Sequence, residues 1–264
     1  MFFDAVIFDM DGVITDTAAV HAAAWAGTFN DFLKARSGKA GTAFVPFGRD
    51  DYLAYVDGRP RYDGVEAFLA SRQITLAFGT PTDGVERETV CGLGNRKDAA
   101  FNTTLETEGV RVFASTLALI EALRGRAIRL GVATSSKNGA KVLEKAGIAG
   151  LFGARVDGVV SAELGLWGKP APDIFAVACA RLGVERHRCV VVEDAVSGVA
   201  AGARGRFGLT LGIAREGNGE ALKRQGADMV VRDLSEITLE EIDQWFENTV
   251  RTRPGSAGPQ QPGI

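Results

Sequence analysis

The sequence is poor in cysteine, with only Cys91, Cys179 and Cys189 in 264 residues. An odd count without metal-ligand spacing argues against a disulfide framework or a thiolate metal centre, and it fits the reduced, buried thiols of a cytosolic protein. Long apolar runs are missing as well: nothing approaches the roughly 18 consecutive apolar residues of a membrane-spanning helix. The opening Met-Phe-Phe-Asp4 lacks a basic region followed by an apolar run, so no secretory leader is expected. Nor is there an excess of one charge. Thirty Lys+Arg against 33 Asp+Glu leave a formal charge of -3, which speaks against nucleic acid as a partner and gives no electrostatic reason for membrane attachment. No internal repeat is visible. The remaining balance, 46% hydrophobic and 24% charged, is that of a globular protein long enough for one large domain or a domain with an insert. A cytoplasmic, monomeric enzyme is expected.

The first apolar run, Ala5-Val-Ile-Phe8, stops at Asp9-Met-Asp11-Gly12 and predicts a buried strand that delivers two acids to its C-terminal end. Further strands are predicted at 128–134, 189–193, 209–213 and 228–231. Helical stretches at 115–124, 137–146, 172–182, 195–204 and 219–225 separate them, the rhythm of a parallel sheet covered on both faces. Between Asp16 and about Val110 the rhythm breaks into helix alone. His21, Trp25, Phe29 and Leu33 are spaced four apart. Stripes at Val65, Phe68 and Leu69, and then at Phe101 and Leu105, follow. An insert at this point would cover the edge of the sheet where open α/β folds bind ligands. The domains expected are therefore a core of 1–15 plus 111–250, a helical lid of 16–110, and a disordered tail of 251–264 that holds three of the eight prolines. Ser37 to Gly48 is expected to be a loop. Thr238-Leu-Glu-Glu241 makes a capping box ahead of a closing helix with the apolar face Leu239, Ile242, Trp245 and Phe246.

Four groups of residues carry chemistry. Asp9 and Asp11 share a face if the strand is regular, and two converging carboxylates need a cation or a proton between them. A divalent ion held by oxygens would free one to attack phosphorus and the other to move a proton; helix capping at a strand-end turn is the plainer alternative. Thr134-Ser135-Ser136-Lys-Asn138 places hydroxyls and N–H groups at a strand-to-helix junction, suited to an anion or simply to an N-cap. Lys169-Pro-Ala-Pro-Asp173 fixes a lysine just ahead of a helix start, where an anion would be needed to offset the dipole; an exposed structural lysine is the other option. Glu193-Asp194 ends a buried strand and could complete an oxygen shell around a metal, or be a surface acidic pair. With all four at strand ends on one sheet edge, the parts are those of phosphoryl transfer.

The segments Phe8-Asp-Met-Asp-Gly-Val-Ile-Thr-Asp-Thr17, Thr134-Ser-Ser136, Lys169-Pro-Ala-Pro-Asp173 and Glu193-Asp194 resemble the four motifs of the haloacid dehalogenase (HAD) superfamily across about residues 3–231. The resemblance implies an α/β fold, a Rossmann-like parallel-sheet core with a helical cap inserted after the first strand. It implies Asp9 as a nucleophile that becomes an aspartyl phosphate and Asp11 as general acid/base. Thr134 and Lys169 would hold the phosphoryl group, and one Mg2+ would be bound by Asp9, the Asp11 carbonyl and Asp194, with Glu193 in support.

Within the superfamily the chain is most similar to the β-phosphoglucomutase-like subfamily, through Gly12-Val-Ile-Thr-Asp-Thr-Ala18, His21, Trp25, Ser136-Lys-Asn-Gly139 and Val56-Asp-Gly-Arg-Pro-Arg61. That similarity implies a sugar phosphate bound by Thr17, His21, Trp25, Gly58, Arg61, Lys97, Ser135, Ser136 and Asn138, with glucose 1,6-bisphosphate as intermediate and activator. Arg61 suits a phosphate clamp better than Arg59, which could be a solvated helix start, and His21 could instead be a core histidine. Gly64 stands where the subfamily would have serine, and 74–93 does not align well. The competing readings are a sugar-phosphate phosphatase on the same core, a non-catalytic phosphosugar sensor, and a phosphorylatable receiver domain.

Overall fold

The computed structural model of the protein describes residues 1–41 and 43–252. Six parallel strands form its sheet in the order β3-β2-β1-β4-β5-β6. They are β1 (Ala5–Phe8), β2 (Arg129–Ala133), β3 (Ala154–Val156), β4 (Cys189–Glu193), β5 (Leu209–Ile213) and β6 (Met229–Val231). The inner strands alternate between two cores, as a period of two requires. Val6 and Phe8 of β1, with Val190 and Val192 of β4, enter one apolar cluster. Ala5, Ile7, Cys189 and Val191 enter the cluster on the opposite face. Burial on both faces explains why these strands are apolar throughout. The three thiols are free and buried, as expected.

Between β1 and β2 lie α1 (Ala18–Ala40), α2 (Arg49–Asp51), α3 (Arg61–Ser71), α4 (Val90–Glu108) and α5 (Ala114–Gly125); α2 runs on into a π-turn at Tyr52–Val56. The first four make a cap with its own apolar cluster, built on Trp25, Phe29, Phe47, Val65, Phe68 and Leu93. Phe29 is fully buried there, stacked on Trp25 at 5.1 Å and tilted against Phe68 at 4.3 Å. At its base the cap is continuous with the sheet, where Ala24, Phe101 and Leu105 join the first core cluster.

The remaining helices are α6 (Gly139–Lys145), α7 (Gly158–Glu163), α8 (Asp173–Arg181), α9 (Val196–Gly205), α10 (Gly219–Arg224) and α11 (Leu239–Thr252). Several expectations need correction. Ser37 to Ala40 are not loop but the last turn of α1, stopped by Gly41 in the left-handed region (φ 65°). The loop proper is pinned by Phe47, whose N–H donates to Asn30 Oδ1 at 2.7 Å. β3 and α7 were not foreseen from the sequence. The closing helix α11 runs through 251 and 252, where a tail was expected; the rest of that tail, 253–264, lies outside the described residues. The capping box ahead of α11 is present, with the Glu241 carboxylate accepting from the Thr238 N–H at 2.8 Å. Among the described residues no helix is long and apolar enough to cross a membrane.

Candidate active site

The C-terminal edge of the sheet, under the cap, gathers Asp9, Asp11, Thr134, Ser135, Ser136, Asn138, Lys169, Glu193 and Asp194 around one cavity. The cap closes it from above with His21, Trp25, Gly58, Arg61 and Lys97. The strand order explains the convergence: β2 and β4 flank β1, so the loops after all three open side by side. Lys169 is the exception. No strand precedes it directly; it arrives on the loop between α7 and α8, so the expectation that every group sits at a strand end is corrected for this residue.

At the centre, Lys169 Nζ donates to Asp9 Oδ1 and to Glu193 Oε1, both at 2.5 Å, with all three side chains buried. Burial alone would depress the lysine, but the two carboxylates outweigh it and raise it above its ordinary value. Burial, reinforced by the charges of Glu193 and Asp11, pushes the Asp9 carboxyl upward against the pull of Lys169. Glu193 spends its other oxygen on the Ala195 N–H at 2.7 Å. It therefore orients Lys169 and the following loop.

Asp11 is held differently. Its Oδ1 accepts a short hydrogen bond from Thr17, and Thr134 Oγ1 donates to Oδ2 at 3.4 Å. His21 Nε2 stands 3.2 Å from Oδ1 without meeting hydrogen-bond geometry, while its Nδ1 makes a short contact with Lys97 Nζ. Burial works to raise the Asp11 carboxyl, but His21, Thr17 and Lys97 together hold it below its usual value. Burial and Lys97 in turn lower the His21 imidazole. His21 is thus no ordinary core histidine: it stacks on Phe101 at 4.0 Å and carries a chain of contacts from Asp11 to the cap. Lys97 lies over the rings of Trp25 (5.2 Å) and Phe101 (4.8 Å), and burial pushes its ammonium down to about 7.

Farther out, Arg61 pairs with Asp98 at 2.6 Å, and Asn138 Nδ2 donates to the same Asp98 oxygen at 2.7 Å. Arg59 is exposed and reaches back to the Ala54 carbonyl, and it too borders the cavity. Ser136 Oγ accepts from the Asn138 N–H at 3.2 Å. The Ser135 hydroxyl donates to the Gly58 carbonyl at 2.9 Å.

The residues fit a hard divalent cation. A Cβ on Gly12 would stand 1.9 Å from Asp194 Oδ2, so only glycine (here at φ 88°) lets that carboxylate lie against the backbone next to Asp11. Burial and the charges of Glu193, Asp57 and Asp9 push the Asp194 carboxyl well above its ordinary value, a load that a cation would relieve. Among the described residues, no three His, Cys, Asp or Glu side chains form a preformed metal shell. A set of two carboxylates and one backbone carbonyl does not require one.

Seven residues of the cavity wall were not assigned from the sequence: Tyr52, Val56, Asp57, Arg59, Asp98, Lys137 and Ala195. Asp57 is the most unexpected, a fifth carboxyl brought in by the cap and raised to about 6, chiefly by burial and then by Glu193. Its Asp-Gly pair signals only a turn.

The haloacid dehalogenase-like hydrolase model matches residues 3–206. The chain belongs to that family. Within it, the chain is 44% identical over 237 residues to a β-phosphoglucomutase of Mycobacterium bovis, covering 88% of this chain and 90% of that one. A β-phosphoglucomutase of Bacillus subtilis is 32% identical, with 94% and 97% covered. Among solved structures, a β-phosphoglucomutase from Clostridium difficile shares the fold at a TM-score of 0.75 and 24% identity, over 94% of this chain and 99% of that one. The chain sits in the β-phosphoglucomutase-like branch of the family.

Proposed function

We propose that the protein is a Mg2+-dependent β-phosphoglucomutase that converts β-D-glucose 1-phosphate to glucose 6-phosphate through β-glucose 1,6-bisphosphate. The observation that carries the reading is the chain Asp11–His21–Lys97, in a sequence 44% identical to a β-phosphoglucomutase: the proton-transfer carboxylate is tied to the cap. A phosphatase needs only the core; a mutase needs the acid/base group organised when the lid excludes water.

In this reading Asp9 carries the phosphoryl group as an aspartyl phosphate. Lys169 offsets the charge of the transferring oxygens, and Thr134 donates to them. Asp11, kept ionised by its partners, takes the proton from the attacking sugar hydroxyl, and its protonated form returns one to the sugar oxygen that leaves when Asp9 takes up the other phosphoryl group of the bisphosphate. Arg61 and Lys97 hold the distal phosphate against Asn138, Ser136 and the turn at Gly58, with Trp25 and His21 beneath the sugar. Mg2+, bound by Asp9, the Asp11 carbonyl and Asp194, would supply further neutralisation of phosphoryl charge. The cavity lies between core and cap, so in this reading the cap of 16–110 lifts to admit a hexose bisphosphate and closes over it. The same reading makes the protein a cytoplasmic enzyme, monomeric, with a small sugar phosphate as its partner.

An assay with Mg2+, β-glucose 1-phosphate and a trace of glucose 1,6-bisphosphate, following glucose 6-phosphate and inorganic phosphate together, tests the proposal. Glucose 6-phosphate without phosphate release is expected; phosphate release with no isomerised product would make the protein a phosphatase.

A further inference from the structure

We infer that Ser197 and Ser135 form a two-point latch that holds the cap shut over Asp9, and that Ser197 is a positioning residue dedicated to it. Two consecutive carbonyls of the cap turn each accept a hydrogen bond from a core hydroxyl. Ser197 Oγ donates to the Asp57 carbonyl at 3.2 Å, and Ser135 Oγ donates to the Gly58 carbonyl at 2.9 Å. Ser135 follows β2, whereas Ser197 lies in the first turn of α9, after β4. Those strands are the two neighbours of β1. The latch points therefore straddle the strand that ends at Asp9, and the turn they hold bridges the mouth above it.

The seat is close and made of backbone. Gly58 has φ 68°, and a Cβ there would stand 2.4 Å from Ser197 Oγ and 3.0 Å from the Ala195 Cβ. Two residues on, Pro60 rests on Gly168, where a Cβ would come within 2.2 Å of the ring. The turn thus touches all three core loops, beside Ser135, Lys169 and Ala195. Both acceptors are peptide carbonyls, so the latch does not use the Asp57 side chain, but it does need glycine at 58 to leave room for the Ser197 hydroxyl. Ser197 does not line the cavity, so its hydroxyl has no part in holding phosphate.

The function of such a latch follows from the competition at Asp9. If water attacks the phosphorus of the aspartyl phosphate, the bond to the Asp9 oxygen breaks and inorganic phosphate leaves with the carboxylate restored. If the sugar hydroxyl attacks, the phosphoryl group is kept. The latch lengthens the time for which only the second attack is available, so it sets the ratio of mutase to phosphatase turnover. That consequence rests on the mutase reading; the latch itself does not.

The test uses the full chain with Mg2+, as wild type, Ser197→Ala and Ser197→Thr. Hydrogen exchange of the peptide spanning 56–62, read by mass spectrometry without substrate, should run about fivefold faster in Ser197→Ala, the shift that loss of one neutral hydrogen bond produces. Ser197→Thr, which keeps the hydroxyl, should match wild type. With β-glucose 1-phosphate, the phosphate released per glucose 6-phosphate should rise by a similar factor in Ser197→Ala alone. Unchanged exchange in Ser197→Ala, or Ser197→Thr exchanging as fast as Ser197→Ala, overturns the latch. A wild type that forms no glucose 6-phosphate overturns the mutase reading, and the exchange result still decides the latch.

Discussion

Lys169 and Asp9 meet at 2.5 Å inside the protein, and the same ammonium is shared with Glu193 at 2.5 Å. One cation between two buried carboxylates leaves net negative charge in a closed space, before Asp11 and Asp194 are counted. Such a centre favours the arrival of positive charge; in the proposed reading a metal supplies it while Asp9 attacks phosphorus, and the individual residues can be separated on that basis.

Asp9→Asn keeps the shape and the hydrogen bond to Lys169 but removes the nucleophile. Turnover of β-glucose 1-phosphate should fall by about 10⁴-fold or more, with no phosphoenzyme detectable by intact-mass measurement after exposure to acetyl phosphate. An unchanged circular dichroism spectrum would separate this from misfolding.

Gly12→Ala places a methyl where Asp194 Oδ2 now lies, 1.9 Å away, at a backbone φ of 88°. The carboxylate must move, so the Mg2+ concentration for half-maximal turnover should rise by about 10- to 100-fold, as when a ligand loses its support. A magnesium titration of the rate measures it. Chelation with EDTA should abolish turnover, and added Mg2+ should restore it.

Lys97 gives a pH signature. Burial, with Arg61 adding to it against Asp11 and Asp98, lowers its ammonium to about 7 from an ordinary value of 10.5. Between those values the unfolded chain binds more protons than the folded protein, so this lysine makes stability rise with pH across that window. Below about 7 the buried charge is a standing penalty. In the metal-free protein, Lys97→Met should raise the melting temperature more at pH 6 than at pH 10. Thermal melts at the two pH values decide this, and an equal shift at both would contradict it.

Phe29 anchors the cap's own cluster. Phe29→Ala should remove about 3–5 kcal/mol from a part of the protein that the sheet does not share. The cap is then expected to loosen first: mutase turnover lost, with Asp9 still phosphorylated by acetyl phosphate. Denaturation followed by near-ultraviolet and far-ultraviolet circular dichroism should show two separated steps instead of one.

Much of this arrangement could be read from residue order, and the reasons are specific. Asp9, Asp11, Thr134 and Asp194 follow apolar strands whose ends are unmistakable, and the strand order then brings them together. β3 escaped notice because it is three residues long with Arg155 in the middle, too short to show a period. The last turn of α1 escaped because Ser37 and Gly38 are weak helix formers at an exposed end, where the helix buried through Phe29 and Leu33 simply propagates to its stop at Gly41. Asp57 and Asp98 are cap residues whose meaning depends on what the core presents opposite them, and pairing across a cleft leaves no local pattern. Ser197 is visible in the turn after Glu193-Asp194, but its role is not, for the same reason: its partner is a carbonyl 140 residues away.

The tip of the cap meets the core mostly through polar contacts: two serine hydroxyls on carbonyls, Asp98 on Asn138, and Arg49 on Glu216 at 2.6 Å. Its apolar residues are already spent inside its own cluster. Lifting such a lid uncovers little hydrocarbon, so the heat-capacity change of the motion is small. The balance between open and shut should then drift gently with temperature where an oily seam would bend it sharply. In the proposed reading such a gate would keep nearly the same setting in cold and warmth, with ionic strength acting on it through the exposed Arg49–Glu216 pair.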